Sequence, residues 1–149
     1  MSVKHDQAAI IPLIRDAAAA IKTGSLRLLA SPWSPPAWMK APIHANSSHG
    51  KTLATQSMTG SAKPNGLMTH AQQTWANYIS KFVEAYNKQG VYLWAVTPQN
   101  EPEFAAPWEA CAYTAQFEAE FIANYLGPTL RKEHPEVKRR ILSYPIMVH

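Results

Sequence analysis

Asn100, Glu101 and Pro102 set an amide and a carboxylate side by side where a proline halts regular structure, a pairing suited to sugar chemistry. A carboxyl at Glu101 could donate a proton to a glycosidic oxygen while the Asn100 amide holds a neighbouring hydroxyl. Read locally, Glu101 is equally a loop carboxylate before a proline turn, because a single Asn-Glu-Pro is a weak motif. Trp33 is the next candidate: its flat apolar face can stack on the C–H face of a sugar or simply pack beneath the following loop. Trp38 takes the packing reading. Glu103 and Glu109 are read as solvated, since two carboxylates on one short loop cannot by spacing alone take opposite faces of a substrate. Cys111 is the sole cysteine, so no internal disulfide is expected, and neither it nor the six histidines has metal-ligand spacing.

The elements that must position these residues alternate. Residues 91–97, VYLWAVT, form a continuous apolar run rich in β-branched and aromatic side chains, the pattern of a strand covered on both faces. Thr97-Pro98-Gln99 breaks that strand and delivers Asn100 and Glu101 beyond its carboxyl end, the edge where α/β folds place their chemistry. Residues 25–30 predict an earlier strand, with Trp33 at its end. Ile10, Ile14, Ala17, Ala18 and Ile21 recur at helical spacing and predict a helix of about three turns, with Pro12 tolerated near its start. A second helix spans 69–90. Thr69 and Gln72 fit a capping box, Ala71, Trp75, Tyr78, Ile79, Phe82, Val83 and Tyr86 form its apolar stripe, and Gly90 is placed to cap its end. Thr114 caps a third helix, with Phe117, Phe121, Ile122, Tyr125 and Leu126 on one face, which Gly127-Pro128 kinks or ends. Residues 140–144 predict a last strand. The resulting α-β-α-β-α-β order implies a parallel sheet with right-handed crossovers, open or closed into a barrel. Residues 42–66, rich in Ser, Thr, Asn, Gly and Lys, are expected to be an exposed loop without regular structure.

With 149 residues, 46% of them hydrophobic and 16% charged, the chain has the composition of one soluble globular unit. The net charge is +4, but the basic residues are scattered apart from the Lys-Arg-Arg triplet at 138–140, which is read as flanking a strand rather than binding nucleic acid. No run of about 18 apolar residues predicts a membrane span, and residues 1–22 lack the basic start and apolar centre of a signal peptide.

Two stretches taken together, LLASPWSPPAWMK at 28–40 and WAVTPQNEP at 94–102, resemble glycoside hydrolase family 30, particularly its acid β-glucosidase (glucosylceramidase) branch. IPLI at 11–14, QTWANYISKFVEAY at 73–86 and FIANYLGPTL at 121–130 extend the resemblance, in the family's order, over nearly the whole chain. The resemblance implies a (β/α)8 TIM barrel, of which residues 1–149 supply about three parallel strands with their intervening helices, those numbered third to fifth in the barrel. It implies double displacement at a β-glucosidic bond: Glu101 as acid/base, Asn100 on the sugar's 2-hydroxyl, Trp33 lining the glucose pocket, and Trp108, after Pro107, as another wall of the cleft. Neither a metal nor an organic cofactor is called for. The implied substrate is a β-glucoside or a glucosylceramide-like lipid, with possible lipid-surface contact in the intact enzyme and a secreted or lysosome-like location.

The sequence departs from that family in one respect. A retaining glycosidase needs a second carboxylate about 5 Å from the first as nucleophile. The family supplies it from a strand near the end of the barrel, which no stretch of this sequence matches. Residues 145–148, Pro-Ile-Met-Val, also replace polar residues that usually follow the family's fifth strand. The chain is therefore expected to be a piece of a glycosidase domain, inactive alone. The alternative is a non-catalytic remnant that binds through Trp33 and Trp108 or folds only with a partner. A cellulase or xylanase with a glutamate at the end of its fourth strand would change the substrate but not the role of Glu101.

Overall fold

A computed structural model describes residues 2–46 and 52–137. Helices α1 (Lys4–Ala8) and α2 (Ile10–Ala20) open the chain, and β1 (Leu29–Ala30) follows. Next come a hairpin of β2 (Ile43–Asn46) and β3 (Thr52–Thr55), then α3 (Gln72–Asn87), β4 (Ala95–Val96), α4 (Ala115–Phe121) and α5 (Gly127–Glu133). The predicted strand at 140–144 and the basic triplet at 138–140 lie outside the described residues. Among the described residues no helix is long and apolar enough to cross a membrane.

β1 and β4 pair in parallel, Leu29 with Ala95 and Ala30 with Val96, across the intervening α3. Both ladders are shorter than the predicted 25–30 and 91–97. Outside the two paired residues the segments stay joined by single bonds, from Trp94 N to Leu28 O at 2.9 Å, Thr97 N to Ala30 O at 2.9 Å and Asn100 N to Pro32 O at 2.8 Å. Pro32 and Pro98 have no N–H to return, so reciprocal pairing stops there while the chains still run side by side.

The 42–66 segment departs from its expected irregularity. β2 and β3 pair antiparallel from Ile43 opposite Thr55 to Asn46 opposite Thr52. A hairpin satisfies its backbone locally, so it forms from a mainly polar stretch with no apolar period to reveal it.

α3 carries the core. Trp75, Ala76, Ile79, Val83 and Tyr86 are buried along one face, whereas Tyr78, expected in the stripe, is substantially exposed. The expected Thr69–Gln72 capping box does not form. A 3₁₀ turn at Thr69–Ala71 precedes the helix, Ala71 stands at the N-cap without a side-chain bond, and Gln72 N donates to Thr69 O instead. The tighter turn takes up amides that a capping side chain would serve, and the Gln72 side chain is buried. At the far end Gly90 adopts φ +72°, where a side chain would be strained, and Val91 N reaches back to Tyr86 O at 3.1 Å.

Thr114 caps α4 as expected, its Oγ1 accepting from Phe117 N at 3.2 Å. The helix then widens into a π turn at Ile122–Leu126 and continues as α5. Pro128 cannot donate within the helix, and a Cβ on Gly127 would sit 2.7 Å from Ile122 O, so this dipeptide deforms the helix without ending it. Phe121 and Leu126, both fully buried, pack with Tyr113, Phe117 and the α3 stripe into one cluster. Ser80 of α3 donates to Glu133 Oε2 at 2.6 Å, and His134 Nε2 lies 2.9 Å from Ser80 Oγ, which joins α3 to the end of α5.

Phe121→Ala should destabilise the fold by about 3–5 kcal/mol, the cost of a large cavity in a closed core, read from denaturant unfolding. A second expectation concerns alkali. Burial pushes the Cys111 thiol up to about 12, and burial with the hydrogen bond to Asp6 pushes Tyr86 up to about 12. Both folded values lie above the unfolded ones, so their contribution is complete below the ordinary thiol and phenol ranges and is lost as pH rises toward 12. Stability should fall over that window, less steeply in Cys111→Ala and Tyr86→Phe.

Candidate active site

The parallel pairing of β1 with β4 brings two strand ends to one edge. Gln99, almost fully buried, spans them: its Nε2 donates to Trp33 O at 2.7 Å and to Asn100 O at 3.0 Å. Asn100 N donates to Pro32 O, and Ser31 Oγ lies 2.7 Å from Thr97 Oγ1 and 3.5 Å from Asn100 Oδ1, the outer limit of a hydrogen bond. The backbones of Trp33 and Asn100 are thus fixed against each other through one buried amide.

Glu101 is exposed beside them and adopts φ +46°, so its backbone is left-handed. A residue with a Cβ pays roughly 1–2 kcal/mol there, and such strain persists where surrounding bonds dictate the backbone. Here Asn100 N is held to Pro32 O on one side, and on the other Phe104 N donates to Glu101 O at 3.0 Å and Tyr113 N to Pro102 O at 2.7 Å. The last bond closes the base of a loop, 102–113.

Trp108 stands on that loop, half exposed, its ring edge-on to Phe104 with centroids 5.9 Å apart. Gly60 N donates to Trp108 O at 2.7 Å, and Glu109 bridges to Thr59 and Gly60. Beneath this contact lies Lys40, fully buried, whose ammonium donates to Met58 O at 2.8 Å, Gly60 O at 2.7 Å and Ala110 O at 2.6 Å. Gly66 lies in the same layer, where a Cβ would collide with Ser61 Oγ and come 3.0 Å from Cys111 Sγ.

The site residues read from the sequence therefore fall into two groups. Trp33, Asn100 and Glu101 occupy adjoining strand ends, and Trp108 joins them through the loop whose base begins at Pro102. Glu103 and Glu109 are exposed, as expected. Trp38 is not packed beneath a loop: it is 61% exposed, and its neighbour Met39 fills the core instead, because the 3₁₀ turn Ala37–Met39 directs successive side chains differently. Sequence reasoning missed Gln99 and Lys40, for which no spacing rule gives a signal, and the left-handed backbone at Glu101. On α4, burial pushes the Glu118 carboxyl above its ordinary range, with the nearby Glu103 charge reinforcing the shift. A cleft of about 540 Å³ runs below, between the first helices, β1 and α3, lined by Ile14, Leu28, Ala30, Tyr78 and Phe82. It takes in none of Trp33, Asn100, Glu101 and Trp108.

The Glycosyl hydrolase family 30 TIM-barrel domain matches residues 2–144, nearly the whole chain. The chain belongs to glycoside hydrolase family 30. It is similar to the lysosomal acid glucosylceramidase of Mus musculus, 36% identical over 138 residues, which is 89% of this chain and 24% of that protein. It is also similar to putative glucosylceramidase 4 of Caenorhabditis elegans, 39% identical over 124 residues, which is 80% of this chain and 21% of that one. Among solved structures, SrfJ of Salmonella typhimurium superposes with a TM-score of 0.72 at 31% identity, over 91% of this chain and 26% of that one. The endo-beta1,6-glucanase BT3312 superposes with a TM-score of 0.74 at 26% identity, over 93% and 28%. The fold is accordingly part of a TIM barrel, and the chain spans roughly a quarter of the length of the relatives it matches.

Glu101→Gly should raise the unfolding free energy by about 1 kcal/mol, since glycine removes the left-handed penalty, whereas Glu101→Ala, which keeps a Cβ, should not. Chemical denaturation of both variants checks this, and stabilisation by alanine would show that the side chain, not the backbone, is the source.

Proposed function

We propose that this chain provides the acid/base half of a retaining β-glucosidase site whose preferred substrate is glucosylceramide. The observation that supports this reading is the Gln99 clamp, which sets Trp33 against Asn100 and leaves Glu101 exposed just past the end of β4. In a TIM barrel that end of the strand faces the substrate. The ceramide-linked substrate rests on relatives that bear the glucosylceramidase name.

In the proposed reaction a nucleophilic carboxylate, contributed by a part of the barrel beyond the described residues, attacks the anomeric carbon. Glu101 donates its proton to the departing glycosidic oxygen, so the C–O bond breaks and a covalent glycosyl ester forms. Glu101, now a carboxylate, takes a proton from water as the water oxygen attacks the same carbon. The bond from that carbon to the nucleophile breaks, which frees its carboxylate, and the sugar leaves with its original configuration. Asn100 holds the 2-hydroxyl, a bond that strengthens in the transition state, and Trp33 and Trp108 wall the sugar. The half-exposed rings of Trp33 and Trp108 also support a second reading, a module that binds glycosides without cleaving them.

In a protein that carries this chain within a complete barrel, Glu101→Gln should lose most of kcat/KM on glycosides with poor leaving groups and keep it on activated aryl glycosides, because only the former need protonation to form the ester, whereas hydrolysis of the ester slows on both. Equal loss on both classes would remove Glu101 from the acid/base role. Asn100→Ala should lower kcat/KM by about 100-fold, equivalent to about 2.7 kcal/mol of transition-state stabilisation. Binding of β-glucosides without turnover in the unaltered protein would favour the module.

A further inference from the structure

We propose that Lys40 is a positioning residue for the glycoside site, an internal cation that sets the aromatic wall at Trp108 relative to the wall at Trp33. The inference rests on the functional reading above for what the walls hold, and on geometry alone for the positioning itself.

Lys40 ends the segment that leaves β1 through Trp33 and the 3₁₀ turn Ala37–Met39. Its backbone is anchored there, Lys40 N donating to Ala37 O at 3.0 Å, Lys40 O accepting from Gln56 Nε2 at 2.8 Å, and Lys40 bridging to Leu67. Its ammonium reaches across to carbonyls on two other segments, Met58 and Gly60 on one and Ala110 on the other. Three donors meet three acceptors, so the ammonium is saturated. The two segments it joins are those whose contact fixes Trp108: Gly60 N bonds Trp108 O, and Ala110 N reaches Met58 O at 3.3 Å. One side chain therefore ties the loop after β1, which carries Trp33, to the loop after β4, which carries Trp108.

Packing alone does not account for a charge at this place. Burying an ammonium is costly, and an apolar side chain of the same length would fill the space. It would leave three carbonyl oxygens without the donor that now draws them to one point, and the two segments without their common anchor. Burial pulls the Lys40 ammonium below the ordinary lysine range, opposed by Cys111 and then by Glu109 on the bridged segment. Arginine is no substitute, because its planar fork spreads its donors where these carbonyls converge.

The test uses the full chain labelled with 5-fluorotryptophan, comparing the wild type with Lys40→Met, which keeps the stem and removes the cation. The Trp108 fluorine signal should shift or broaden and the Gly60 amide should exchange about tenfold faster, the effect of losing about 1.4 kcal/mol of local protection. The Trp75 signal and the Val83 amide, both in α3, should stay as they are. Unchanged Trp108 and Gly60, or equal changes at Trp75 and Val83, would overturn the proposal. If Lys40→Met does not fold, the lysine ammonium spectrum of the wild type decides: a Lys40 ammonium with protons that exchange slowly is expected, and one that exchanges like surface lysines would refute the cradle. Titration of the wild type with methyl β-glucoside, followed at Trp108, reads the functional assignment separately. No response there would count against the glycoside site and leave the outcome for Lys40 standing on exchange and fluorine signals.

Discussion

The arrangement depends on one short parallel contact, Leu29 with Ala95 and Ala30 with Val96. Two paired residues per strand are a small ladder, yet the register they set fixes which residues emerge together at the carboxyl edge. A slip of one residue would turn every following side chain to the other face. Because Pro32 and Pro98 end reciprocal pairing, the chains leave the sheet there, and side-chain bonds take over from the ladder. Gln99 does most of this work, holding the Trp33 and Asn100 carbonyls from a buried position.

Beyond the edge, polar contacts rather than apolar packing shape the site. The 102–113 loop is closed at its base by Tyr113 N to Pro102 O and held farther out by Gly60 N to Trp108 O and by the Lys40 ammonium on Ala110 O. The hydrophobic cluster around Trp75, Val83, Tyr113 and Phe121 also takes in Met39, Leu67 and Cys111, so the core reaches the residues that adjoin Lys40. The strained backbone of Glu101 belongs to the same scheme, since bonds on both sides dictate its conformation and a carboxylate side chain stands where glycine would be relaxed.

α3 and α4 were legible in the sequence because each carries a repeated apolar face with an end signal, Gly90 at its left-handed turn and the Thr114 cap, whereas the face expected of α2 stands mostly exposed and only Ile11 of that helix is buried. Strand positions were legible as apolar runs, but their length was not, since a parallel ladder depends on neighbours that no local pattern encodes. The β2–β3 hairpin stayed hidden because its pairing is backbone to backbone. Asn100 and Glu101 could be picked out by residue type and by the proline that stops the strand. Gln99 and Lys40 could not, for a glutamine or lysine reads as surface until the carbonyls that require it are located. Trp38 misled in the opposite sense: its size suggested the core, while the turn it sits on gave that place to Met39.

Family 30 membership accounts for the barrel segment, and the strand-end geometry motivates the proposed roles of the named side chains. The central claim is that Glu101 is the proton donor of a reaction that passes through a covalent glycosyl ester. Its most direct measurement is the product formed by Glu101→Ala, in the protein bearing the complete barrel, from an activated aryl β-glucoside in the presence of azide. With the carboxylate gone, the small anion can enter its place and attack the ester without base assistance. The account predicts restored turnover and a β-glucosyl azide, identified by NMR. An α-glucosyl azide, or no response to azide in a variant that still binds substrate, would contradict it.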